Sequence, residues 1–273
     1  MADATWDFRD PASRERLLGV LHREEDEMFG LVSDPDRWEA PTACEGWQVR
    51  DVVGHLVDTT EGYLSAFELA RSGGTPPEPL GLQVMAETVD KGAKAFRKVP
   101  QGEMVERLRA DAGQMMDIFA SLPDGDWQGF MPPHKYMGPA PAMFFAIFQL
   151  VDYAVHGWDI RQGIGRPHAI AGDTADLLVP LMFLLLPATA DTSGVTEPFS
   201  VGIRTTGVNG GDVRADVSSE GVQIAPGSVD DCAAVIEVDP ASFVLTGYGR
   251  INGGTVRGDR EAASRFRQLF FAI

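Results

Sequence analysis

The sequence predicts two domains of different kind: an α-helical bundle over residues 1–193, then a small α+β unit over 194–273. Three observations carry this reading. Apolar residues recur at helical spacing through the first two-thirds of the chain. Near residue 195 the texture changes to short β-prone runs separated by glycine. At 273 residues, 44% of them hydrophobic, the chain has the length and composition for one large or two modest cores.

The first helix is predicted over 12–32, where Leu17, Leu18, Leu21, Met28, Leu31 and Val32 gather near one face, opposite charges. Pro35, Pro41 and Gly46 make 33–48 a connection. A second helix spans about 49–72, with Val52, Val53, Leu56, Val57, Tyr63, Leu64 and Phe67 turned to the core. Asp51 lies in its first turn, where the helix dipole favours an acid. The run GGTPPEPL at 73–80 is a break. Helical texture returns over 82–98 and 101–121, interrupted at Pro100. A loop with five prolines follows, LPDGDWQGFMPPHKYMGPAPA. The next helix runs from about 140 to 163, ended by Gly163 and Gly165, and another begins near Asp173. Its apolar stretch at 177–190 is short for a membrane span and holds Pro180 and Pro187, so it is read as a buried helix. Beyond 196, FSVGIRT, VRADVSS, GVQIAP, AVIEVD and GTVRGD read as strands, ASFVLTGYG and REAASRFRQLF as helices.

The net charge is −17. Nucleic-acid binding through phosphates needs a basic surface and is not expected. Two cysteines, Cys44 and Cys232, make no disulfide framework and fit a reducing, cytoplasmic setting. The start, MADATWDFRDPASRER, is acidic and shows no signal peptide, and no membrane partner is expected.

Asp152 and His156 stand four residues apart, and so share one face of the predicted helix. That helix is otherwise apolar: Phe144, Phe145, Ile147, Phe148, Val151, Val155 and Trp158. A carboxylate buried there is costly without a partner. A divalent metal is one such partner, and His55 could supply a third ligand from the second helix. Bundles build metal sites from facing helices, and three protein ligands leave a coordination position open for chemistry. The plainer alternative is a hydrogen-bonded pair and a core histidine. Asp159, three residues past His156, could orient that imidazole. The sequence favours its plainer role, a cap or an ion pair with Arg161. Asp58 stands in the same relation to His55.

The run Cys44-Glu45-Gly46-Trp47-Gln48-Val49-Arg50-Asp51-Val52-Val53-Gly54-His55-Leu56, followed by Asp152-x-x-x-His156-x-Trp158-Asp159, resembles the DinB-like superfamily. Within it, the mycothiol-dependent maleylpyruvate isomerase family is the best likeness. The resemblance implies a four-helix bundle carrying a divalent metal, usually zinc, on two histidines and an acid. His55, Asp152 and His156 fall on those positions; the commoner acid is Glu, so Asp152 is a departure. The C-terminal segment, with Leu245-Thr246-Gly247-Tyr248-Gly249-Arg250 and Val256-Arg257-Gly258-Asp259, resembles the sterol-carrier-like α+β domain often fused to this bundle. The resemblance further implies mycothiol as cofactor and an arginine of the C-terminal domain near the cleft. Arg250 is the best match for that catalytic role and Arg257 the runner-up; surface salt bridging is the plain alternative for both.

Cys44 precedes a helix with no histidine near it in sequence, and a thiol cofactor makes a protein nucleophile unnecessary. His134 and Tyr136, in the Pro-rich loop, could line the cleft mouth, but a surface-loop histidine is the favoured reading. INGGTVRGD lacks the helix that a phosphate-binding loop needs. The reading is therefore a metalloenzyme that activates a low-molecular-weight thiol for cis–trans isomerisation or S-transfer on a small electrophile bearing carboxylates. Two rivals stand beside it: a thiol-independent metal enzyme acting as Lewis acid or through hydroxide, and a non-catalytic binder of lipid or small ligands in an apolar cavity between the domains.

Overall fold

The computed structural model describes residues 6–271; residues 1–5, the first part of the acidic start, and 272–273 lie outside the described residues. The chain divides into two compact units, Met1–Ile170 and Ala171–Ile273.

In the first unit, α1 (Arg14–Val32), α2 (Val49–Arg71), α4 (Gln101–Ser121) and α6 (Ala142–Gly163) form a four-helix bundle, and α3 (Leu82–Lys94) lies on α2. Helix α6 is apolar around its whole circumference, and Phe145, Ala146, Ile147, Leu150 and Ile160 are fully buried. A helix of that composition has to be covered on every side. Each large side chain so buried contributes about 1.5–3 kcal/mol.

The start of α2 is tied down by Asp51. Its Oδ2 accepts the Gln48 N–H at 2.8 Å, and its two oxygens accept Arg97 Nε–H and Nη2–H at 2.7 Å each. Burial pushes the Asp51 carboxyl up, but the Arg97 bonds and the Gln48 N–H outweigh it and hold the group below the ordinary carboxylate range. Three residues on, a Cβ at Gly54 would stand 2.3 Å from the Ala93 carbonyl oxygen. Glycine there lets α3 lie directly on α2 beside His55.

The region expected to be a single loop between α4 and α6 holds more structure. Trp127 is fully buried and fastens a short helix, α5 (Asp124–Gly129). Pro133–His134 (β1) pairs antiparallel with Gly138–Pro139 (β2), with Gly138 at φ +80°. The Pro-rich break before α3 holds this hairpin: Leu80 N–H donates to the Lys135 carbonyl at 3.1 Å and Gly81 N–H to that of Tyr136 at 2.9 Å.

The second unit begins with α7 (Gly172–Thr189), followed by β3 (Phe199–Thr205), β4 (Gly211–Ser218), β5 (Gly221–Pro226), β6 (Ala234–Val238), α8 (Pro240–Gly247), β7 (Thr255–Gly258) and α9 (Arg260–Arg267). The sheet order is β5-β4-β3-β6-β7. Only β3 and β6 run parallel; the other neighbours are antiparallel. The units part between residues 170 and 171, one helix earlier than the change of texture at 193/194. Helix α7 packs on α8 and β5 and so goes with the sheet. By length and composition α7 could cross a membrane, and 56% of it is buried. An apolar cavity of about 470 Å³ lies within this unit, between α7, α8, α9 and the sheet.

At neutral pH, Asp51→Ala should lower stability in urea unfolding by about 2 kcal/mol, the range for a charged hydrogen-bonded group. The folded pKa lies below the unfolded value of about 3.9. The stabilisation is therefore complete above that value and lost as pH falls through the folded pKa, so the gap between variant and wild type should close on acidification.

Candidate metal centre

His55 projects from the second turn of α2, Asp152 and His156 from one face of α6. Their donor atoms all lie within 4.8 Å of one another. His55 Nε2 and Asp152 Oδ1 are 3.6 Å apart, close to the ~3.4 Å that separates tetrahedral ligands with metal bonds of about 2.1 Å. Among the described residues, no lysine or arginine pairs with the half-buried Asp152 carboxylate, and the His55 imidazole is its neighbour. Two imidazoles and an acid so arranged suit a divalent transition metal.

The surrounding shell fixes the histidines. Asp159 is fully buried, and its Oδ2 lies 3.0 Å from His156 Nδ1. This overturns the plainer role favoured for Asp159, because Arg161 turns away to pair with Glu27 of α1. With Nδ1 committed to the carboxylate, Nε2 is the nitrogen a metal would take. Asp58, the corresponding neighbour of His55, is exposed and makes no such contact.

Trp47 roofs the pair. Its ring stacks on His156 at 5.6 Å and 21°, and tilts over His55 at 5.4 Å. The two imidazoles meet edge to face at 5.0 Å. The indole Nε1–H donates to Asp90 Oδ1 of α3 at 2.9 Å. The Cys44–Trp47 turn needs Gly46 at φ +74°, and Ala43 N–H donates to the Asp159 carbonyl at 2.9 Å. A Cβ on Gly163 would reach 1.9 Å from the Pro41 carbonyl oxygen. Small residues thus let the loop seat against α6. Cys44 is half-buried in this loop and in no disulfide.

His134 is not the surface-loop residue expected. It retains 8% of its accessible surface, with Phe148 at 5.4 Å and Tyr63 and Phe145 each at 5.8 Å. Burial pushes its imidazole down to about 4, against the pull of Asp152. Nothing in the sequence of a proline-rich loop marks it, since the hairpin and its tether set its burial. Tyr136 is half-buried, its hydroxyl 3.5 Å from Thr88 Oγ1.

Arg250 belongs to the second unit. The Thr246-Gly247-Tyr248-Gly249-Arg250 run closes α8: Arg250 N–H donates to the Leu245 carbonyl at 2.8 Å and Gly249 N–H to Thr246 at 3.0 Å, with Gly249 at φ +68°. This is the glycine-terminated helix end of the Schellman type. The Arg250 guanidinium donates to the Tyr248 carbonyl at 2.8 Å. Arg257 is largely exposed and paired with Glu237 at 2.7 Å.

Residues 21–161 match the family model of the mycothiol maleylpyruvate isomerase N-terminal domain. An uncharacterized protein of Mycobacterium tuberculosis (strain CDC 1551 / Oshkosh) is 26% identical over 158 residues, covering 55% of this chain and 56% of that protein's length. The chain thus spans little more than half of this relative. Among solved structures, the mycothiol-dependent maleylpyruvate isomerase is similar at TM-score 0.57 and 14% identity, over 89% of this chain and 92% of that one. A histidine variant of the isomerase gives TM-score 0.58 at 13% identity, with the same coverage. At these identities the likeness is one of fold: a helical N-terminal domain followed by a mixed-sheet domain.

If Asp159 holds His156 in its ligating tautomer, Asp159→Ala should weaken zinc binding ten- to a hundredfold in a chelator competition titration. Unchanged affinity would reduce Asp159 to a packing role.

Proposed function

The chain belongs to the mycothiol maleylpyruvate isomerase N-terminal domain family, and from that premise we propose that it is a cytoplasmic enzyme using a divalent metal, zinc in the first instance, and a low-molecular-weight thiol, mycothiol. His55, Asp152 and His156 are the proposed ligands. The observation that carries the reading is the convergence of these three side chains inside the segment that matches the family.

The set holds two neutral imidazoles and one carboxylate. A divalent ion there would keep one net positive charge and favour a bound thiolate over the thiol, whose reversible addition to an activated double bond supplies cis–trans isomerisation and whose retained addition supplies S-transfer. The protein's part is positioning. Asp159 fixes the His156 tautomer, Trp47 closes one side to water, and Asp152, with a stem shorter than the commoner Glu, draws its carboxylate toward α6. Neither cysteine has a place in this scheme.

Arg250 is proposed as the grip for a substrate carboxylate, because its guanidinium can give two parallel donors. Arg250→Ala should retain metal and fold but lose about 1.5–3 kcal/mol of substrate or transition-state binding. Arg250→Lys should recover only part of that. Full kcat/KM in Arg250→Ala would remove Arg250 from the reaction.

The reading itself is tested by elemental analysis and by assay of maleylpyruvate with and without mycothiol. Wild type should carry about one equivalent of zinc and require the thiol for turnover. His156→Ala should lose most of the metal, and Cys44→Ser and Cys232→Ser should stay active. A full metal equivalent in His156→Ala would refute the ligand set. Turnover independent of thiol would move the reaction to Lewis-acid or hydroxide chemistry.

A further inference from the structure

Helices α2 and α6 face one another in opposite directions: His55 meets Asp152 and His156, whereas Tyr63, two turns on, meets Phe145 at 5.0 Å. Along this seam Asp152, Phe148 and Phe145 follow one another on α6. His134 is laid over the same line by the hairpin, packed on Phe148, Phe145 and Tyr63. The residues it packs on lie one to two helical turns, roughly 6–12 Å, along the seam from Asp152 and His55. The side chains of His55 and Asp152 are 13% and 21% accessible, and His134 as a residue keeps 8% of its surface.

The hairpin also fixes which nitrogen carries the proton. Backbone N–H groups of Tyr136 and Met137 converge on His134 Nδ1 at 3.4 and 3.3 Å. A nitrogen that accepts these donors cannot itself hold a proton in the neutral ring, so the proton is on Nε2. Among the described residues no hydrogen-bond acceptor meets that Nε2–H. This nitrogen is not among the fully enclosed side-chain atoms left without a partner, so the donor is open to an acceptor that comes from solution. The hairpin uses the Nδ1 acceptor but not this donor, since Leu80 and Gly81 already tie it to the linker.

We propose that His134 is a specificity-determining residue beside the candidate metal centre, donating Nε2–H to a carboxylate or carbonyl oxygen of a small acidic substrate. The proposal rests on the metal-site reading above. A neutral donor here orients an oxygen acceptor without adding a competing cation beside the ligands.

The test uses the zinc-loaded full chain, with maleate as an unreactive diacid probe and no thiol. His134→Asn keeps an acceptor near the Nδ1 position for the Tyr136 and Met137 N–H groups and removes the Nε2 donor; His134→Gln offers an N–H near the Nε2 position. Zinc content should be unchanged in both. By calorimetry, maleate affinity should fall tenfold or more in His134→Asn and recover in part in His134→Gln. Long-range proton–nitrogen NMR of the wild type should show the Nε2–H tautomer, with its signal displaced by maleate. Equal maleate affinity in wild type and His134→Asn would overturn the proposal, as would a proton on Nδ1 or a zinc-loaded wild type that does not bind maleate. Zinc content and thiol-dependent turnover of the wild type report separately on the reading beneath it.

Discussion

Helix α6 combines two demands that are hard to meet together. Its apolar circumference must be enclosed, and it carries Asp152, His156 and Asp159, which lose water when it is. The bundle satisfies the first demand with α1, α2 and the short α5. The second is met locally: Asp159 takes the Nδ1 of His156, and Asp152 is left beside His55 on the side that retains solvent access. Polar groups on a buried helix are tolerated only with such partners. The candidate centre lies where enclosure and polarity conflict most.

The segment that begins α2 shows stability and site built from the same atoms. Asp51 closes the start of the helix and holds Arg97, which follows α3. Gly54 brings α3 close, and α3 presents Asp90 to Trp47, the ring over both histidines. Each contact is local, yet together they carry the backbone from a surface loop to the imidazoles with little freedom left. A substitution at Gly54 or Asp51 would reach the centre through this path without touching a ligand.

Much of this was legible in sequence because it depends on local periodicity. The helices announce themselves by their apolar stripes, the strands by short β-prone runs, and Asp152 and His156 by their i,i+4 spacing. What escaped depends on competition between distant groups. Asp159 could have taken Arg161; it turns to His156 because Glu27, from another helix, takes the arginine. His134 sits in strands of two residues, too short for any pattern, and its burial is set by the linker around Leu80. Helix α7 looks like another bundle helix in composition, and only its packing on α8 and β5 assigns it to the sheet. The Tyr248–Arg250 run was noticed as a motif, whereas its backbone role, ending α8, needed the hydrogen bonds.

The spacing of the centre along the chain has a consequence for biogenesis. Asp152 and His156 are neighbours in any nascent helix, but His55 and Trp47 lie about a hundred residues upstream. Closing so long a loop carries an entropy penalty that grows with its length, so these partners meet only once α2 and α6 have docked. An unfolded chain offers at most a weak two-donor site, and a metal cannot template the fold as it does in a zinc finger. Discrimination among metals would then rest with the finished bundle, and a metal supplied during synthesis would have no grip on the chain until late in folding.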